Sequence, residues 1–253
     1  MQLPIADLHC DLLSFMATVP QANPLDQDQI ACALPLLQAG GVRAQVMAIY
    51  TDVHPGSMLL ACKQADLFAK LLEEQKETLC RMDSHFIQYF TEQAHIGVIA
   101  AIENAAGIGT EAASWQEIYA QFDLLLEKVG QLAYISLTHH TENRFGGGNY
   151  TEGIGLKEDG KRLLDYLAGK RIPIDLSHTS DLLAEGILQH IDRQAVQPLH
   201  QIGDRGLVGA RDPLGRALAG LRDEWSGDRD PSQVHHWVSL VHGLARRSAR
   251  PWR

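Results

Sequence analysis

The feature that most constrains the fold is an alternation of short apolar segments with longer helical patterns along the first 195 residues. The predicted strands are residues 5–11, 42–50, 96–102, 132–137 and 172–176. The predicted helices are residues 23–39, 58–93, 115–129, 157–169 and 179–193. Ser114 is the expected N-cap of the third helix. Strands that alternate with helices form a parallel sheet with crossover connections, so we expect an α/β fold.

Four of the five predicted strands end in side chains that bind metals or transfer protons. His9 and Asp11 end the first strand, and a spacing of two places them on one face. Glu103, His139 and His178 end three later strands. In a (β/α)8 barrel these strand ends share one mouth, where active sites are built. Imidazoles and carboxylates converging there predict a site for a divalent ion such as Zn²⁺.

Each of these residues has an ordinary structural interpretation when it is taken alone. A His-x-Asp pair can simply be a polar strand end, and Glu103 can cap a helix or form a salt bridge. Four such strand ends in phase favour a shared site. Glu103 is the expected bridge between two ions because it is the only acid at its strand end. Two close ions would lower the pKa of a shared water molecule and polarise a scissile carbonyl.

Composition limits the partners and the compartment. The net charge of −9 argues against a nucleic-acid partner, because phosphate binding needs clustered basic residues. The four cysteines have no CxxC spacing, which favours reduced thiols in a cytoplasmic protein. No basic-then-apolar leader and no bilayer-length apolar run is present. We therefore expect a cytoplasmic protein with neither a nucleic-acid nor a membrane partner.

Four motifs together resemble the membrane (renal) dipeptidase family of zinc metallopeptidases, peptidase family M19, in its soluble bacterial branch. The similarity runs in register from residue 1 to about 195. The motifs are DLHCD at residues 7–11, IEN at 102–104, SLTH with TENRFGGG at 136–148, and IDLSH at 174–178. No single motif is specific, but the set of four is.

The resemblance implies a (β/α)8 TIM-type barrel of the metal-dependent hydrolase superfamily. Two zinc ions would support hydrolysis of a small dipeptide through a metal-bound hydroxide. By motif match, His9 and Asp11 would bind one zinc, Glu103 would bridge both, and His178 would bind the second. His139 would stabilise the oxyanion, and we prefer it to the adjacent His140 because it directly follows Ser-Leu-Thr. A homodimer stays open.

The resemblance stops near residue 197. Three later family motifs are absent from the sequence: a Ser-His-Ser strand end whose histidine is a further zinc ligand, an arginine for the substrate carboxylate, and an aspartate for proton transfer. From Gln197 onward the chain contains no Lys, Phe or Tyr. We therefore divide it into a barrel portion, residues 1–196, incomplete after the fifth strand, and an atypical segment, residues 197–253. Our hypothesis is that a frame shift or an unrelated sequence replaced the last third.

Two alternatives follow from these observations. The first is a catalytically inactive, truncated or frame-shifted relative that binds one metal ion or none; metal stoichiometry separates it from a two-zinc dipeptidase. The second is another metal-dependent barrel hydrolase, acting on a cyclic amide or as a deaminase. Those barrels usually begin with His-x-His, whereas this chain has His9-x-Asp11, so the dipeptidase interpretation is favoured.

Overall fold

Within the described residues the sheet contains six strands, all paired in parallel: β1 (Ile5–Asp7), β2 (Val42–Tyr50), β3 (Leu79–Arg81), β4 (Ile96–Glu103), β5 (Leu132–Ser136) and β6 (Ile174–Asp175). Their order is β1-β2-β4-β5-β6, with β3 beside the first residues of β4. The computed structural model describes residues 4–83, 95–170 and 172–196. Parallel pairing brings all their carboxyl ends to one edge of a curled half-barrel, which confirms the predicted fold of an incomplete TIM-type barrel.

Helices follow the strands and cover the outer face of the sheet. They are α1 (Leu12–Thr18), α2 (Leu34–Ala39), α3 (Ser57–Glu74), α4 (Trp115–Val129), α5 (Glu158–Leu167) and α6 (Asp181–Val196), with a short 3-10 helix at Ala105–Gly107. The predicted start of α4 is confirmed: Ser114 and Glu117 form a capping box. Helix α4 buries Ile118, Phe122 and Leu125, whose helical spacing forms one apolar stripe.

Strands β2 and β4 form the centre of the sheet and set the position of the site. Seven of the eight residues of β4 are buried, as expected for a strand covered on both faces. The register pairs Ala44 with Gly97 and continues in step to Tyr50 opposite Glu103. Because a slip of one residue would turn Glu103 to the opposite face, this register decides where the carboxylate points.

Two predicted helices differ from the structure. The helix predicted over residues 23–39 is restricted to Leu34–Ala39. The preceding segment turns instead, because the side chains of Asn23 and Asp26 accept hydrogen bonds from the backbone two residues further on. The helix predicted over residues 58–93 ends at Glu74, and Leu79–Arg81 is a strand that pairs with β4. Residues 84–94 lie outside the described part of the chain.

The first and fifth predicted strands are shorter than expected. β1 ends at Asp7, and β6 contains only Ile174 and Asp175. The predicted change of character at residue 197 lies outside the described residues and stays a prediction. Within the described ranges, no helix is both long enough and apolar enough to cross a membrane.

Candidate metal centre

Glu103 is the buried acid at the end of β4, and four other side chains named by the sequence surround it. Its Oε2 lies 3.3 Å from Nε2 of His9. Its Oε1 lies 3.2 Å from Nε2 of His178 and 3.7 Å from Nε2 of His139. Asp11 completes the set, with Oδ1 3.6 Å from Nε2 of His9. The structure therefore brings all five predicted site residues together at one edge of the sheet.

The two carboxylate oxygens of Glu103 face different sets of side chains. We call His9 and Asp11, with Oε2, the carboxylate side. We call His139 and His178, which face Oε1, together with the adjacent His140, the histidine side. Burial alone raises the pKa of Glu103, but hydrogen bonds from His178 and His9 outweigh it and lower the pKa to about 2. The carboxylate is therefore ionised across the physiological range, as a metal ligand must be.

The carboxylate side is held by the backbone of β2. Cys10 donates its N–H to the Val46 carbonyl and accepts from the Ala48 N–H, each at about 3 Å. The buried Cys10 side chain packs in the core, whereas His9 and Asp11 reach the site. The predicted sharing of one face by His9 and Asp11 is therefore correct, although the regular strand has already ended at Asp7.

Tyr134 fixes the ring of His9. The Tyr134 hydroxyl donates its single hydrogen to the Leu8 carbonyl at 3.1 Å. It therefore accepts from Nδ1–H of His9, 2.8 Å away, which leaves Nε2 as the nitrogen that faces the two carboxylates. This arrangement is typical of metal-binding histidines, whose second nitrogen is held by an outer partner. Sequence reasoning missed Tyr134; only alternation along β5, which places it with Ser136 on one face, could have indicated it.

The carboxylate side also attracts positive charge strongly. Hydrogen bonding to Asp11, and then to Glu103, raises the pKa of His9 to about 10 against the opposing effect of burial. Either a proton on His9 or a bound cation can balance the negative charge of Asp11 and Glu103. A divalent ion would compete with that proton, because imidazole binds metals in its neutral form.

The histidine side gathers three imidazoles from two loops. His139 and His140 follow β5, and His178 follows β6. Ligand nitrogens of all three lie within 4.8 Å of one another, as do the ligand atoms of His9, Asp11 and Glu103. Burial, helped by the neighbouring His178, lowers the pKa of His139. His178 has a φ of 61°, an uncommon left-handed conformation for a residue with a side chain.

The loop after β5 is locked by its own polar side chains. Asn143 donates to Oδ1 of Asn104 at 2.9 Å and to the Leu137 carbonyl at 2.7 Å. Asn104 in turn donates to the Thr51 carbonyl at 2.8 Å, which links the loop to the end of β2. Gly148 leaves no room for a side chain, since a Cβ there would lie 2.1 Å from the His139 carbonyl oxygen. Backbone packing therefore determines where His139 and His140 lie.

The donor set fits zinc. Imidazole nitrogens and carboxylate oxygens are the ligands that zinc uses in hydrolytic sites, and each side offers several within reach of one ion. Glu103 can serve both sides because its two oxygens point to different groups. The residues present are therefore compatible with two ions.

Comparison with known proteins decides the family. The family model of the membrane dipeptidases, peptidase family M19, matches residues 1–192. The chain belongs to the membrane dipeptidase family. The resemblance read from the sequence is thereby confirmed, together with its extent to within a few residues. No curated protein matches the chain.

Solved structures described as dipeptidases or metallo peptidases share the fold. Dipeptidase AC, a metallo peptidase of family M19, is 19% identical with a TM-score of 0.55 over 75% of this chain and 60% of its own. A metallo peptidase from Rhodobacter sphaeroides liganded with a phosphinate mimic of L-Ala-D-Ala is 18% identical, with a TM-score of 0.56 over 75% and 62%. The probable dipeptidase PvdM from Pseudomonas aeruginosa is 14% identical, with a TM-score of 0.56 over 74% and 49%. The chain thus spans about half to three fifths of the length of these relatives.

Proposed function

We propose that the protein is a zinc-dependent dipeptidase that binds two ions around Glu103. The observation that carries this proposal is the bridging geometry of Glu103, whose oxygens lie 3.3 Å from His9 and 3.2 Å from His178 on opposite sides. Membership of the membrane dipeptidase family supports both the metal and the reaction. Bound zinc would activate a water molecule and polarise the scissile carbonyl.

Each predicted residue has a role in this proposal. His9 and Asp11 would hold the first ion, Glu103 would be shared by both, and His178 would hold the second. Tyr134 would keep Nε2 of His9 directed at the first ion through the hydrogen bond at Nδ1. His139, whose Nε2 lies 3.7 Å from Oε1 of Glu103, stabilises the negative charge that develops on the substrate oxygen.

The substrate that we propose is a dipeptide. The Rhodobacter sphaeroides relative was solved with a mimic of L-Ala-D-Ala, a dipeptide with a D-residue at its carboxyl end. L-Ala-D-Ala and L-Ala-L-Ala are therefore the first pair to compare, because they differ only in the configuration of the second residue.

The test combines metal content with hydrolysis on one sample. Purified protein is stripped with a chelator, reloaded with zinc, and assayed with the two dipeptides while bound zinc is measured by elemental analysis. We expect dipeptide hydrolysis to be lost when the metal is stripped and restored when zinc is added. The His139→Ala variant should keep its zinc but lose activity by about 100-fold or more, the usual cost of removing an oxyanion donor. Zinc-loaded protein that hydrolyses no dipeptide would refute the proposal.

The competing function is metal binding without hydrolysis. It is favoured by the absence of a Ser-His-Ser motif, and with it of the family's further zinc histidine, from the sequence. The same experiment separates the two functions, because the inactive relative would bind zinc and leave both dipeptides intact.

A further inference from the structure

His140 lies on the histidine side but has no role in the mechanism described above. One of its ring nitrogens lies within 4.8 Å of a ring nitrogen of His139 and of His178. The three rings are also close, with centroids 3.8 Å apart for His139 and His140 and 5.2 Å apart for His140 and His178. On the sequence alone, His140 was only the less favoured alternative to His139.

The ring of His140 is held in the form that binds metals. Its Nδ1 lies 2.9 Å from Oδ1 of Asn149, an amide oxygen that accepts hydrogen bonds and cannot donate them. Nδ1 therefore donates this hydrogen bond, and Nε2 is the nitrogen left to face a metal. The ring also stacks on Tyr150, with centroids 4.1 Å apart and planes 3° apart. His140 is thus oriented by an outer partner in the same way that His9 is oriented by Tyr134.

The segment that orients His140 is joined to both histidine loops. Asn149 donates its backbone N–H to the His178 carbonyl at 2.9 Å, and Tyr150 donates its own to the His140 carbonyl at the same distance. An antiparallel bridge between Gly148 and Thr179 reinforces the connection. The relative positions of His140 and His178 are therefore fixed by backbone hydrogen bonds.

A ligand count shows what His140 would add. Catalytic zinc usually has three protein ligands and one open position. Among the described residues, the proposed function assigns only His178 and Glu103 to the second ion, with Nε2 and Oε1 3.2 Å apart. His139 is less suited to be the third ligand, because its Nδ1 has only a 3.4 Å contact with the Tyr50 hydroxyl, which itself donates to Asp52.

We infer that His140 is a ligand of the second zinc ion, together with His178 and Glu103, and that Asn149 and Tyr150 position its ring. This inference rests on the proposed function in one respect, namely that a second ion binds beside Glu103. It gives the second ion three ligands within the described residues and leaves His139 free to face the substrate.

The test is a zinc titration by calorimetry on the full chain after chelator treatment. We expect two ions for the unmodified protein and one for His140→Ala, with the affinity for the first ion unchanged; retention of the first ion shows that the variant is folded. Asn149→Leu should bind both ions but weaken the second by about 10- to 100-fold, as removal of an outer partner does. The matched control is His190→Gln, which alters a histidine bonded to Asp165 at 2.7 Å outside the site and should bind two ions.

Cobalt provides a second measurement. Co²⁺ bound at the second site should give a visible absorption band that disappears in His140→Ala and persists in His190→Gln. The inference would be overturned if His140→Ala still bound two ions, or if the unmodified protein bound only one. It would also be overturned if His139→Ala lost the second ion while His140→Ala kept it. Failure of the proposed function is distinct: a protein that loses its second ion on His140→Ala but hydrolyses no dipeptide would support the ligand and refute the activity.

Discussion

The two sides of Glu103 are built in different ways. On the carboxylate side, Cys10 pairs through its backbone with β2, and sheet register directs His9 and Asp11. On the histidine side, two loops meet, and their positions depend on side-chain amides, on Gly148, and on the left-handed backbone of His178. One half of the centre is therefore specified by strand pairing and the other half by loop chemistry.

The largest expected effect comes from Glu103→Gln, which removes the charge that both sides share. We expect binding of both ions to weaken and dipeptide hydrolysis to fall by more than about 100-fold, because losing a shared ligand should cost more than losing an outer partner. Elemental analysis and hydrolysis rates measure the two effects. The control is Glu142→Gln, an acid paired with Lys157 and not with the histidines. Loss of only one ion would show that Glu103 does not bridge.

Gly148→Ala should damage the histidine side alone. Its Cβ would lie 2.1 Å from the His139 carbonyl oxygen and 2.4 Å from the His140 carbonyl carbon, and backbone atoms cannot rotate away. We expect the free energy of unfolding to fall by about 1–3 kcal/mol, the usual cost of overpacking, and the second ion to be lost while the first is retained. Thermal unfolding and zinc titration measure these changes.

Gly169→Ala is the matched control, because a Cβ there meets no atom within 4 Å. Its stability should change by less than about 0.5 kcal/mol, and it should bind both ions. If Gly148→Ala behaved in the same way, the loop backbone would not be what positions the histidines.

Tyr134→Phe should weaken binding of the first ion and spare the second, the reverse of Gly148→Ala. It removes the hydroxyl that holds Nδ1 of His9, so the affinity for the first ion should fall by about 10- to 100-fold. The second ion should be unaffected, since the hydroxyl contacts only His9 and the Leu8 carbonyl among the described residues. Calorimetry resolves the two binding steps. An equal loss of affinity for both ions would contradict the independence of the carboxylate side and the histidine side.

The smallest effect is expected for Ser114→Ala, which removes the cap of α4 on the outer face of the sheet. The free energy of unfolding should fall by about 1 kcal/mol, as for other N-cap losses, while both zinc affinities stay unchanged. Denaturant unfolding and zinc titration provide the measurements. A change in either affinity would show that the helical layer influences the centre directly.

Long periodic segments made much of the fold predictable. Val42–Tyr50, Ile96–Glu103 and Trp115–Val129 agree with the sequence prediction to within one residue. The prediction failed where local side-chain hydrogen bonds compete with helix, as at Asn23, and where a three-residue strand, Leu79–Arg81, follows a long helix. In the latter case a segment of three residues is too short to show its own period.

The centre was predictable for a different reason. The convergence of five side chains was predictable because parallel strands deliver their ends to one edge; they are His9, Asp11, Glu103, His139 and His178. Tyr134 was missed because its hydrogen bond is to His9, 125 positions away in the chain, and such a contact leaves no local pattern. Asn149 was missed because a polar loop residue has no periodicity that would indicate its partner.

The shared carboxylate of Glu103 has a thermodynamic consequence. If the two sides each bind an ion, they form a linked system: the factor by which one ion changes the affinity of the other must be the same in both directions. Two cations held by one carboxylate repel each other, so occupancy of either side should disfavour the second binding step. At limiting zinc the half-loaded protein would then accumulate, and the free zinc concentration would set the fraction of molecules that carry a complete centre.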